Sequence, residues 1–188
     1  MAEEGEIMNK VAPISDKNLI NEIVEDLKQE NSRDYILFMV GICCGPRISE
    51  MICLRVVDVK NKESMKIKAT KNNKSLEVPI PKILQKELKE YCKGKDATDF
   101  LFPSRQGGHI TRQRASQIAK RIADKYDIEN FNTHSFRKTF ARRLYELTKD
   151  IALVQMALGH QSVATTIKYL GLEQEYLHNK LNDFNPFK

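Results

Sequence analysis

No stretch of this 188-residue chain is apolar for long enough to cross a bilayer. The longest nearly uncharged apolar run is Tyr35 to Gly45, well short of the roughly 20 residues a membrane helix needs. No secretory leader is expected either. Glu3, Glu4 and Glu6 stand where such a leader would be basic and then apolar. Cysteine is sparse: Cys43, Cys44, Cys53 and Cys92 follow no zinc-site spacing, and two of them are adjacent. Cys43, Cys44 and Cys53 lie among apolar neighbours and are expected as buried, reduced thiols. No internal repeat or low-complexity tract appears. These absences set aside a membrane span, a disulfide-stapled secreted domain, a zinc module and a repeat array.

What is present fits one globular unit. The composition, 41% hydrophobic and 30% charged, is that of an ordinary folded domain, and 188 residues suffice for one. Charge is unevenly spread. Residues 1–30 hold eight acids and three bases, a net −5, so the overall +6 leaves +11 on the remainder. A basic body suits a polyanionic partner, most often a phosphate backbone.

Residues 1–13 are polar and irregular and are expected as a flexible tail. Ser15 or Asp16 then caps a helix whose apolar positions are Leu19, Ile20, Ile23, Val24 and Leu27. Residues 33–44 predict a buried helix, broken by Gly45-Pro46, with Pro46 suited to the first turn of a helix from about Arg47 to Leu54. Met65, Ile67 and Ala69, then Leu76, Val78 and Ile80, alternate with polar residues around an Asn72-Asn73 turn, the pattern of a β-hairpin. Pro81 starts a helix ending near Gly94, and residues 95–110 form a loop. Thr111 caps a helix to about Tyr126. Thr133 caps another whose Phe136, Phe140, Leu144 and Leu147 predict a buried stripe. Asp150 and Ser162 cap two more, the first ending at Gly159 and the second running through Tyr169. An amphipathic segment from Glu173 to Phe184 closes the chain. The expected class is α+β, predominantly helical with one small antiparallel hairpin.

Some of these positions carry chemistry suited to a phosphodiester. Guanidiniums fork onto two phosphate oxygens at once, a phenol can attack phosphorus, and an acid must protonate the leaving oxygen. Arg47 opens a helix, where backbone N–H groups also favour an anion. His134 and Arg137 are three apart and share a helix face. His160 follows Gly159, and Tyr169 lies one short helix further on. Arg105, Arg112, Arg114, Lys120, Arg121 and Lys125 face a single acid, Asp124, over residues 105–125.

The blocks Gly45-Pro46-Arg47-Ile48-Ser49-Glu50, His134-Ser135-Phe136-Arg137, Leu158-Gly159-His160 and Thr165-Thr166-Ile167-Lys168-Tyr169 strongly resemble, in order and spacing, the signature of the tyrosine recombinases, the phage integrase and Xer-like family. The resemblance covers about residues 15–185. It implies that family's catalytic-domain fold over 14–172, with 173–188 as a C-terminal tail helix. It further implies a site-specific DNA recombinase that cuts and rejoins strands through a 3′-phosphotyrosyl link at Tyr169, without metal, ATP or other cofactor.

Carried over residue by residue, Arg47 and Arg137 would clamp the phosphate and Lys71 would protonate the leaving 5′-oxygen. His134 would serve as base or acid toward the tyrosine, and His160 would hydrogen-bond the phosphate. Glu50 would orient His134 or its neighbours. Lys74 rivals Lys71 as the acid. Arg105, Arg112, Arg114 and Lys74 would contact DNA. The implied partners are double-stranded DNA, a homo-tetramer assembled through the C-terminal tail, and accessory DNA-bending proteins. The implied location is the cytoplasm of a bacterium, with a bacterial or phage origin.

Three positions depart from the usual pattern: Pro46 replaces leucine, the hairpin turn has Asn72-Asn73 in place of glycine, and Lys138 stands where histidine often follows the second arginine. Relatives also carry an N-terminal helical domain for which these residues leave no room, so weak and strongly salt-dependent DNA binding is expected. Two other readings share some of these features: a type IB topoisomerase-like enzyme, and a DNA-binding regulator that has lost cleavage.

Overall fold

Helix boundaries follow the caps written in the sequence. A computed structural model describes residues 11–68 and 75–182. Helix α1, Lys17–Glu30, begins where the Asp16 carboxylate accepts from the Asn18 N–H at 2.8 Å, and it buries Ile23 and Leu27. Helix α2, Ser32–Cys44, is buried from Asp34 through Gly41 and forms the centre of the domain. Asp34 is fully buried, and its carboxylate accepts from Arg33 at 2.9 Å and from Arg121 at 3.1 Å. A buried carboxylate needs such partners, and this one ties α2 to a helix 87 residues away in sequence.

Helix α2 ends at Gly45, which takes the left-handed conformation (φ 64°). The Phe140 ring lies against its Cα, so neither the backbone angle nor the space admits a side chain. Two single-turn helices follow, α3 (Ile48–Met51) and α4 (Val56–Val59). Strands β1 (Ser64–Lys68) and β2 (Ser75–Pro79) pair antiparallel with Met65 opposite Val78 and Ile67 opposite Leu76. These strands turn Met65, Ile67 and Val78 into the core. Helices α5 (Lys82–Tyr91), α6 (Arg112–Tyr126), α7 (Thr133–Thr148), α8 (Ile151–Leu158), α9 (Val163–Leu170) and α10 (Glu173–Asn182) complete the order.

The buried side chains form two clusters. The larger surrounds α2 and takes in the hairpin, α5, α6 and Phe136 of α7. The smaller joins the later part of α7 to α8 and α9 through Ala141, Tyr145, Val154, Leu158, Tyr169 and Leu170. Helix α7 spans both, and the candidate site lies at their seam.

Several expectations are corrected. The helix foreseen from Arg47 to Leu54 is only the turn Ile48–Met51, and Pro46 precedes its cap. Leu54 and Arg55 are drawn out to bridge Phe100 and Leu101: the Leu101 N–H donates to the Leu54 carbonyl at 2.8 Å, and the Arg55 guanidinium stacks 4.2 Å from the centroid of the Phe100 ring. Asn132, not Thr133, caps α7, because its carboxamide accepts from the His134 N–H while the Ser135 hydroxyl accepts from its own N–H. The stripe on α7 is buried at Phe136, partly buried at Phe140 and Leu144, and open at Leu147, which is 74% exposed. The burial shifts instead to Ala141 and Tyr145, which face α8 and α9. Of the cysteines expected to be buried, Cys44 is buried, Cys43 is only partly buried and Cys53 is exposed, beyond the apolar turn of α3.

The hairpin turn with Asn72-Asn73, residues 1–10 of the expected 1–13 tail, and Phe184 lie outside the described residues. The last part of that tail is not loose, since Val11 is buried and the Ala12 N–H donates to the Asn130 carbonyl at 3.3 Å. Among those described, no helix is long and apolar enough to cross a membrane.

Candidate active site

A cleft of about 420 Å³ opens at the seam. Its walls come from the end of α2, from β1 and β2 (Ile67, Leu76, Val78), from Arg137, and from the end of α8. One side is apolar and the other cationic.

Arg47 reaches the cleft because Gly45 ends α2 and Pro46 turns the chain before α3. Its backbone N–H donates to Glu50 Oε2 at 2.9 Å, and its Nη1 donates to Glu50 Oε1 at 3.1 Å. The Glu50 side chain is 5% exposed and the Arg47 side chain 51%. A sheltered carboxylate therefore holds a solvent-facing guanidinium at the cleft mouth. The family resemblance points Glu50 toward His134 or its neighbours; the hydrogen bonds of its carboxylate go to Arg47.

Arg137 is 6% exposed. Its Nη1 donates to the Gly45 carbonyl and its Nη2 to the Leu158 carbonyl, the latter at 2.7 Å. Both acceptors sit at helix C-termini, where orphan carbonyls and the helix dipole favour a cation. Arg137 thus staples α2 to α8, joining the two clusters, and still has N–H groups to offer the cleft. Burial, with Arg47 nearby, pushes its guanidinium below the ordinary arginine value.

Gly159, left-handed at φ 63°, ends α8 and delivers His160 to the cleft. The His160 N–H donates to the Gln155 carbonyl at 3.0 Å. Its Nδ1 lies 3.0 Å from Thr166 Oγ1. Burial and the positive charges of Arg137 and Arg47 pull the imidazole down to about 4, so it is neutral at pH 7.

Ser162 caps α9 by accepting from the Thr165 N–H at 3.1 Å, and this short helix carries Tyr169. Tyr169 is 7% exposed, and its ring meets that of His160 edge-on at 5.4 Å. Burial raises the phenol to about 12, partly offset by Arg137 and Arg47. Its Oη is buried without a well-formed hydrogen bond among the described residues. Arg137 is therefore close enough to favour a phenolate without being aligned to it.

Four separated segments, then, deliver Arg47, Arg137, His160 and Tyr169 to one place. His134 stands exposed one turn before Arg137, at the start of α7. Lys71 and Lys74 lie outside the described residues. Arg105, Arg112 and Arg114 are exposed, the last two in the first turn of α6, which Thr111 caps. Arg142 and Arg143 are both bonded to Glu146, at 2.9 and 2.8 Å. Sequence reasoning missed Thr166, which is fully buried against His160. Its place in the Thr165-Thr166 pair, one turn before Tyr169, was the available signal. It also missed the buried Asp34 beside Arg33.

Two guanidiniums and an imidazole line one cleft, with a phenol packed against the imidazole, and the fold is that of known recombinases. The domain superposes on the crystal structure of XerA recombinase with a TM-score of 0.74 at 23% identity, over 94% of this chain and 67% of that one. XerH site-specific recombinase bound to its difH substrate gives 0.72 at 22%, over 90% of this chain and 54% of that one.

Residues 15–175 match the model of the phage integrase family, and the chain belongs to that family. It is 36% identical over 169 residues to the probable integrase/recombinase YoeC of Bacillus subtilis, covering 89% of this chain and 93% of that protein. Against the tyrosine recombinase XerD of Corynebacterium glutamicum the identity is 30% over 161 residues, 82% of this chain and 53% of the relative. The chain thus spans most of YoeC but about half the length of XerD. It is an enzyme of DNA recombination.

Proposed function

We propose that the cleft holds one scissile phosphate of a DNA strand and that Tyr169 attacks it. The phenol oxygen bonds to phosphorus as the bond to the 5′-oxygen breaks, leaving a 3′-phosphotyrosyl link and a free 5′-hydroxyl. The phenol proton passes to a base, for which His134 is the candidate, and the 5′-oxygen takes a proton from Lys71. Attack by the 5′-hydroxyl of a second strand reverses these steps. The link conserves the phosphodiester, so rejoining needs no ATP. Arg47 and Arg137 bind the non-bridging oxygens as phosphorus becomes five-coordinate and gains charge. His160 hydrogen-bonds a third position, and Glu50 holds Arg47 in place. Exposed Arg105, Arg112 and Arg114, with Lys74, lie along the DNA backbone.

The observation that carries this reading is the convergence of Arg47, Arg137 and His160 on one cleft with the Tyr169 ring packed against His160. Neutral His160 suits a hydrogen-bond role rather than a charge role, and a phenol raised to about 12 by burial needs the positive charge of the arginines and a base before it attacks. Exchange would take place in a tetramer assembled through the tail that begins with α10, where Leu177 and Leu181 are 61% and 56% exposed, with accessory DNA-bending proteins. The expected setting is the bacterial cytoplasm.

The test is strand exchange between two duplexes. Recombinant product that needs a second, sequence-matched duplex supports the reading. Relaxation of a supercoiled plasmid with no second duplex and no sequence requirement would instead make the chain topoisomerase-like. DNA binding without cleavage would make it a regulator.

A further inference from the structure

Thr166 is fully buried on α9, three residues before the tyrosine, and its hydroxyl lies 3.0 Å from His160 Nδ1. A neutral imidazole carries one N–H, so the partner of Nδ1 decides what the opposite nitrogen offers the cleft. The Thr166 hydroxyl has one proton and two places to put it. One is the Ser162 carbonyl at 3.3 Å, and the other is Nδ1 at 3.0 Å. The Ser162 carbonyl already accepts from the Thr166 backbone N–H, so it has less need of the hydroxyl, and the shorter contact is the one to Nδ1. With the proton directed to Nδ1, the ring's own hydrogen resides on Nε2. Nδ1 is turned to the buried threonine, which leaves Nε2 on the ring edge toward the cleft that His160 lines.

We propose that Thr166 is a positioning residue that fixes the tautomer of His160, so that an uncharged imidazole presents Nε2–H to a phosphate oxygen. The alternative tautomer would aim a lone pair at an anion. Protonating the ring would also supply the Nε2–H, but two guanidiniums beside it oppose a third positive charge, in keeping with the depressed imidazole pKa. A hydroxyl at residue 166 solves this without adding charge. The inference rests on the reading of the cleft as a phosphate site.

The test compares Thr166→Val, which keeps the shape and loses the hydroxyl, with Thr166→Ser, which keeps the hydroxyl. The substrate is a nicked duplex that traps the covalent protein–DNA adduct, used at saturating DNA with the full chain. Expected is a loss of adduct rate of about tenfold or more in the valine variant, restored to within about threefold by serine. The ratio of native to valine rates should shrink as pH falls from 7 toward 4, because protonation returns an Nε2–H to the variant. A merely structural role predicts a constant ratio.

Nitrogen NMR of the free proteins supplies an arm that needs no cleavage. Native and serine proteins should show the His160 proton on Nε2, and the valine protein a mixture or Nδ1–H. A native spectrum with the proton on Nδ1, or a valine variant that cleaves at the native rate, overturns the proposal. A native chain that forms no adduct, yet shows the Nε2–H tautomer only when residue 166 carries a hydroxyl, removes the phosphate reading and leaves the Thr166–His160 relation standing.

Discussion

The ring of Tyr169 stands nearly perpendicular to that of His160, at 81°, with centroids 5.4 Å apart. The helix that carries Tyr169 and the loop that follows Gly159 are therefore packed as one piece beside the smaller of the two hydrophobic clusters. Arg137 anchors that piece to the rest of the domain through the carbonyls of Gly45 and Leu158.

That burial makes stability depend on pH. His160 titrates near 4 in the folded chain and near its ordinary 6.5 when unfolded. Between those values the unfolded chain binds the extra proton, so stability is highest above 6.5 and falls as pH drops toward 4. Urea midpoints at pH 7 and pH 5 check this. The native chain should lose more than His160→Gln does, and equal losses would place the imidazole in solvent.

Arg137 staples two helix ends and, on the proposed reading, also binds phosphate; Arg137→Lys separates the two roles. A single ammonium cannot satisfy two carbonyls and still fork onto phosphate. Each carbonyl left unsatisfied costs about 1–3 kcal/mol, and losing a positioned donor lowers the adduct rate by about 10²–10³. Urea unfolding and adduct kinetics read the two effects. A lysine variant with native stability would remove the staple.

Glu50→Gln leaves an oxygen to accept from Arg47 but discharges the pair. Stability should change by less than about 1 kcal/mol, since Arg47 is half exposed, while the adduct rate falls about tenfold as the guanidinium loses its fixed position. An unchanged rate would mean Arg47 needs no such support.

Binding to duplex DNA should weaken steeply with salt. Replacing Arg112 and Arg114 together by glutamine should flatten the slope of log affinity against log salt by about 2, one for each phosphate that is no longer neutralised. A slope equal to that of the native chain would remove the first turn of α6 from the interface.

Local signals made much of this legible in advance. Asp16, Thr111, Asp150 and Ser162 each cap the helix that follows them, as their residue types and positions predict. The alternation over Met65, Ile67, Leu76 and Val78 marks the hairpin and its facing pairs. That Arg47, Arg137, His160 and Tyr169 would come together was legible because their blocks resemble, in order and spacing, the family signature. What escaped depends on distant partners. No local pattern says that Arg55 would stack on Phe100 or that Asp34 would meet Arg121. The reach of the α7 stripe was overstated because periodicity shows which face is apolar, not where the neighbouring helix stops covering it. Leu147 lies past that point.

The most direct test traps the intermediate. A duplex nicked beside the cleavage site, so that the cut fragment diffuses away, should leave the native chain bound to DNA through a bond that survives denaturation. Peptide mapping should place that bond on Tyr169, and Tyr169→Phe should give no adduct. An adduct that persists in the phenylalanine variant, or that maps to another residue, would contradict the account.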